Sequence, residues 1–206
     1  MESSRRKKIS YYCLLVACLS VTPLLPFPAA QAAGPGAYQN GDLILRRSEG
    51  IFSDIARNFS PTDKRFSHVG IIVSDKQQTY VVHSVHDLDK GFNGVVIERL
   101  DAFLTEATGW AVYRLKLEKK LLHQFATTAL QYASQDIAFD SHFDLATRNA
   151  MYCTEFIWRV SETITRPNPI RPTINLSGAL YISIEDIYRH DRVTLIESKF
   201  TEKTHQ

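Results

Sequence analysis

The stretch HVGIIVSDKQQTYVVHSV, residues 68–85, decides the fold. Two runs rich in Val and Ile flank the polar Asp75-Lys76-Gln77-Gln78, the pattern of two strands joined by a tight turn. With the turn centred between Lys76 and Gln77, His68 faces Val85 and His83 faces Gly70. That register sets His68 and His83 on one face as diagonal neighbours, their backbones about 7–8 Å apart. Gly70 leaves space between them. A slip of one residue would send His83 to the other face.

Working outward, Asp42 to Arg46, Gly94 to Arg99 and Trp110 to Leu115 read as further strands, with Asp101 placed to cap a short helix between the last two. Ile51, Ile55 and Phe59 recur at four-residue spacing on a short helix, and Leu121 to Ala133 carries a longer apolar stripe. Cys153 to Ser161 is helical, with Phe156, Ile157 and Val160 facing inward. Pro167, Pro169 and Pro172 impose an extended loop. Ser183 and Asp186 have the spacing of a helix start, and Val193 to Ile196 is a closing strand. Strands gathered in the first half and helices mostly behind them define an α+β domain on an antiparallel sheet.

The chain has 206 residues, 24 Lys+Arg against 22 Asp+Glu and 44% hydrophobic residues, which excludes disorder and leaves no electrostatic reason to expect nucleic acid. Arg5, Arg6, Lys7 and Lys8 precede an apolar run that ends in Ala30-Gln31-Ala32, the layout of a secretory signal peptide over residues 1–32. Ser20, Thr22 and three prolines interrupt the run, so no permanent membrane span is expected. Leu15-Val16-Ala17-Cys18 also has the form of a lipobox, an alternative in which Cys18 is lipidated. A short linker, residues 33–40, then leads to a domain over 41–198 and a polar tail over 199–206. The expected location is periplasmic or secreted.

Export removes Cys13 and Cys18 and leaves Cys153 alone, so it is either a buried small hydrophobe or a reactive thiol. Its place at a helix start favours the second, because free N–H groups and the positive helix end stabilise a thiolate. A nucleophilic Cys needs a base. His68, opening an apolar strand, is the best of the seven histidines, and His83 can orient it through the far ring nitrogen. His83 and His86 cannot chelate together, since residues an odd number apart on a strand point to opposite faces. No metal site and no cofactor is expected. His123, His142, His190 and His205 read as solvent-exposed.

Gly41-Asp42-Leu43-Ile44-Leu45, Ser67-His68-Val69-Gly70-Ile71-Ile72, Tyr80-Val81-Val82-His83, Tyr152-Cys153-Thr154-Glu155-Phe156 and the late Ile182 to Tyr188, taken in this order, resemble the YiiX/YebB-type branch of NlpC-like cysteine hydrolases. The resemblance runs from about Gly41 to Ile196. It implies a circularly permuted papain-like fold, an antiparallel sheet or small barrel packed against helices, with Cys153 as nucleophile, His68 as general base and later acid, and His83 as third member. In the permuted branch the third position is expected to be acidic, often Glu; a His there is familiar from the unpermuted enzymes.

The leading function is therefore an exported cysteine hydrolase cleaving an amide bond, with cell-wall peptides as the substrate suggested by export. An acyl-lipid or ester enzyme on the same site is the alternative, with Trp110, Phe92 and Phe103 as candidates to line an apolar groove, although single aromatics are usually core. A binding module that keeps the fold without catalysis is a third reading. A chymotrypsin-like cysteine protease fits poorly, because Cys153 has no neighbouring Gly and begins a helix.

Overall fold

The computed structural model describes residues 38–75, 77–174 and 178–200. The expected signal peptide with Cys18, most of the linker and residues 201–206 lie outside them. Among the described residues no helix is long and apolar enough to cross a membrane.

Six antiparallel strands form one open sheet: β1 (Leu43–Ser48), β2 (His68–Ser74), β3 (Thr79–Asp87), β4 (Phe92–Arg99), β5 (Ala107–Leu115) and the last strand of the chain, Val193–Phe200. Their order is β4-β3-β2-β1-β5 followed by that last strand. The last strand runs through Phe200, two residues into the segment read as tail. Alternation along each strand divides the side chains between two faces. Leu43, Leu45, Val69, Ile71, Val73 and Val82 line the first face, Ile44, Ile72, Val81 and Val112 the second.

Helix α1 (Ile51–Asn58) follows β1, and the first face is covered by α3 (Lys119–Ala133) through Leu122, Phe125, Ala126 and Ala129 and by α4 (Cys153–Ile164) through Phe156, Ile157 and Val160. Burying each such large apolar side chain contributes roughly 1.5–3 kcal/mol. The second face is closed at one end by Phe103 of the short helix α2 (Leu100–Leu104), which is fully buried. Asp101 does not cap this helix: Arg99 is the N-cap residue, without a side-chain cap bond, and Asp101 lies in the first turn, paired with Arg99 at 2.8 Å. The late helix Ile184–Tyr188 does begin with a capping box. Asp186 N–H donates to Ser183 Oγ at 3.2 Å and Ser183 N–H to the Asp186 carboxylate at 2.7 Å.

The β2–β3 ladder has the anticipated register, with Ile71 opposite Val82 and Ile72 opposite Val81. It stops there, although β2 continues back to His68 and β3 forward to Asp87. The opposition of His68 to Val85 and of His83 to Gly70 is therefore not a paired one. Each strand keeps its outer partner instead, His68 opposite Arg46 on β1 and His83 opposite Val96 on β4. The start of α4 stands in the resulting split, where Ser84 Oγ donates to the carbonyl of Met151 at 2.5 Å.

Candidate active site

Tyr152 is the N-cap residue of α4, in extended conformation and with no side-chain cap bond. The first N–H groups of the helix are thus free for another acceptor. The Cys153 sulfur takes that place: the backbone N–H groups of Thr154, Val69 and Cys153 itself all favour its thiolate. Val69 is the immediate neighbour of His68, so the split brings the sulfur to the backbone beside the expected base. Thr154 Oγ1 donates to Ile182 O at 2.6 Å and Ile182 N–H donates to Tyr152 Oη at 2.8 Å, tying the helix start to the segment that runs over it.

His68 Nε2 and His83 Nδ1 are 2.8 Å apart, with the rings nearly perpendicular at 82°. The shared face expected from the hairpin therefore brings the two imidazoles into hydrogen bond. Phe103 packs edge-on against His83 at 5.1 Å and tilted against His68 at 5.7 Å, shutting water from that side. Its role is to wall the histidines rather than to line an open groove. Arg46, also buried, stacks its guanidinium 4.5 Å from the Phe103 ring and donates to the Phe103 carbonyl.

One acidic and one basic residue extend this line of contacts. His83 Nε2 lies 3.3 Å from Glu98 Oε2, and Glu98 Oε1 lies 3.2 Å from Lys90 Nζ. His83 Nε2 is buried and has no aligned hydrogen-bond partner among the described residues, so Glu98 is the acceptor nearest to any proton it carries. Sequence reading missed Glu98. The signal for it is the β3–β4 hairpin: with His83 opposite Val96, Glu98 is two residues on and shares the face.

Burial dominates the electrostatics. It pushes the Cys153 thiol up to about 11, against the N–H groups and the Arg46 charge that favour the thiolate. It pushes His68 well below its ordinary value, helped by the positive charges of Arg46, His83 and Lys90. His83 is lowered by burial too, with Glu98 opposing and Arg46 assisting. Burial alone would raise Glu98, yet His83 and Lys90 outweigh it and hold the carboxyl below its ordinary range. At neutral pH the resting site is a neutral thiol, two neutral imidazoles and a carboxylate. Burial thus works against the thiolate that the helix start favours.

A pocket of about 30 Å³ opens at Cys153, walled by Phe59, Phe143, Tyr181, Ile182 and Ile184. Phe59 and Phe143 rings are 4.9 Å apart, Phe143 and Tyr152 5.1 Å. Phe143 has a φ of 56°, a left-handed backbone uncommon for a bulky residue. Asp140 holds it there by accepting the N–H groups of His142 and Asp144 at 2.8 and 2.7 Å. These aromatics come from separate segments of the chain, and neither Trp110 nor Phe92 is among them. His190 is half-buried rather than solvent-exposed, while His142 is fully displayed to solvent. Among the described residues no cluster of three or more His, Cys, Asp or Glu is arranged to hold a metal ion.

An antiparallel sheet carrying its histidines ahead of a helix-borne Cys is the permuted order of a papain-like fold. Residues 37–175 match the family described as permuted papain-like amidase enzyme, YaeF/YiiX, C92 family, and the chain belongs to that family. Its fold is similar to a solved structure described as the metalloprotein yiiX from Escherichia coli O157:H7, with 18% identity, a TM-score of 0.65, and 79% of this chain and 98% of that one covered. No curated protein matches the chain.

Proposed function

We propose that this protein is an exported cysteine hydrolase that cleaves an amide bond, with peptides of the cell wall as its substrates. The observation that carries the reading is the 2.8 Å contact of His68 and His83 beside Val69, whose N–H favours the Cys153 thiolate. With Nε2 of His68 engaged by His83, Nδ1 is the nitrogen left for the thiol. As the sulfur bonds to the carbonyl carbon, the thiol proton passes to His68, and the oxyanion is held by N–H groups at the start of α4. His68 then returns the proton to the leaving nitrogen as the C–N bond breaks. Water, deprotonated by the same imidazole, then bonds to the acyl carbon, the C–S bond breaks, and His68 returns the proton to sulfur. A neutral resting thiol makes proton removal part of the attack rather than a step before it. The basic and then apolar N-terminus supports export.

The wild-type protein treated with a thiol-directed acyl probe should be labelled once, and Cys153→Ala should not be labelled. Equal labelling of the variant ends the proposal. Release of soluble fragments from peptidoglycan, absent in Cys153→Ala, tests the substrate; N-terminal sequencing of the protein recovered from cells separates cleavage after Ala32 from lipidation at Cys18.

The apolar lining of the pocket at Cys153 favours a second reading, hydrolysis or transfer of an acyl group from an ester or lipid. Its volume of about 30 Å³ suits a short apolar group, since one water-sized sphere already takes about 10–15 Å³ on the same measure. Turnover of acyl esters without turnover of peptides decides for it, and turnover of neither leaves a binding module.

A further inference from the structure

The third member of the site is a ring with two possible proton positions, and only one of them serves catalysis. If His83 carries its proton on Nδ1, it donates to His68 Nε2, and a neutral His68 must then carry its own proton on Nδ1. No lone pair is left for the thiol. If His83 carries its proton on Nε2, its Nδ1 accepts from His68 Nε2, and His68 Nδ1 is a free base.

We infer that Glu98 is a positioning residue of the proposed hydrolase: its carboxylate, 3.3 Å from His83 Nε2, selects the proton arrangement in which His68 Nδ1 is the base. The inference rests on the reading of Cys153 and His68 as nucleophile and base. An ionised oxygen facing Nε2 favours a proton there and penalises a lone pair, and the bias passes through the 2.8 Å contact to His68. Lys90, 3.2 Å from the other oxygen of Glu98, keeps the carboxylate ionised in its buried place. The acidic residue expected at the third position is thus present one strand further out, acting through an intervening imidazole.

The charged and titratable groups around the pair come from every neighbouring element. Arg46 on β1 and Lys90 after β3 oppose an imidazolium on either ring, and Glu98 on β4 supports one on His83. Asp87 lies 3.8 Å from Lys90, and Cys153 begins α4. Because both rings are disfavoured as cations, their neutral proton positions decide whether the base is competent.

The test reads proton positions without needing turnover. Long-range ¹H–¹⁵N correlation on the full chain labelled at histidine should show His68 and His83 both protonated at Nε2 near pH 7.5. In Glu98→Leu the population with Nδ1 protonated should appear on both rings, and kcat should fall about 10- to 100-fold with KM unchanged, less than removal of a directly orienting partner. Glu98→Gln, whose amide oxygen still accepts, should recover most of the wild-type arrangement. A wild-type spectrum with Nδ1 of His83 protonated overturns the inference even if no variant folds. So does a folded Glu98→Leu with unchanged proton positions or kcat. Full turnover by His68→Ala would instead overturn the hydrolase mechanism itself, while leaving the spectra to be read on their own.

Discussion

His68 Nε2 and His83 Nδ1 meet at 2.8 Å although the strands that carry them have ceased to pair. The contact joins the histidines across a parted ladder, and it is the hydrogen bond between the proposed base and the groups behind it. Replacing His83 by Ala removes that link while keeping Cys153 and His68. Hydrolysis should drop by roughly 100-fold, the scale of a general base that is present but unoriented. A rate within twofold of wild type, measured on the same amide substrate, would show that His83 has no orienting role.

The reactivity of the thiol should follow its burial. With Cys153 pushed up to about 11 and His68 held below its ordinary range, burial disfavours a resting thiolate and imidazolium pair. Alkylation by iodoacetamide should therefore climb steadily from pH 6 towards pH 11. A plateau of fast alkylation below pH 7 would reveal a preformed ion pair and contradict the neutral resting state.

Stability should respond to the same histidines. Their folded values are lowered from 6.5, so the unfolded chain binds protons that the native state refuses. Their contribution is complete above pH 6.5 and is lost progressively as pH falls below that value towards the lowered folded ones. Glu155 acts in the opposite sense: burial raises it to about 7, so its contribution is complete at acid pH and declines as pH rises to 7. Urea midpoints of wild type and His83→Gln between pH 8 and 5 isolate the first effect. The variant should lose less stability on acidification, and parallel curves would argue that His83 is not held neutral.

Gly70 lies just beyond the end of the β2–β3 ladder and close against β3. A Cβ built there would lie 2.3 Å from Val81 Cγ1 and 3.1 Å from His83 Cβ. Gly70→Ala should cost about 1–3 kcal/mol by overpacking and should lower activity further by displacing His83. Thermal unfolding and turnover read the two effects separately; a variant as stable and active as wild type would mean that the strands can spread at no cost.

Ser84 tests the split itself. Its hydroxyl is buried and bonds the Met151 carbonyl two residues before the sulfur. Ser84→Ala leaves that carbonyl without its bond, a loss of about 1–3 kcal/mol, and should slow alkylation of Cys153 as the helix start shifts. Unchanged unfolding and alkylation would show that α4 is seated by other contacts.

Much of this was legible in residues 68–85, because period-two alternation and a polar turn are local properties. They yielded the register at Ile71 and Val82 and the shared face of His68 and His83. The helix at Cys153 was legible for the same reason, through the stripe of Phe156, Ile157 and Val160. The end of the ladder was not, since it depends on α4 entering from far along the chain. Glu98 escaped because an acidic residue in a strand ordinarily faces water, and here a neighbouring strand and Lys90 bury it. The place of Phe103 behind the histidines was not legible because the five-residue helix that carries it has too little pattern to reveal its inner side. The pocket aromatics Phe59, Phe143 and Tyr181 lie on separate segments that only tertiary packing unites.

The parted ladder also fixes when the site comes into being. Residues up to Leu115 can complete five strands, with both imidazoles in place, before the thiol-bearing helix has been synthesised or docked. The nucleophile gains its surroundings only when α4 docks against strands made much earlier in the chain, a contact whose formation is slow because of its sequence separation. An unfinished chain is thus chemically silent, and the proposed chemistry switches on with completion of the fold.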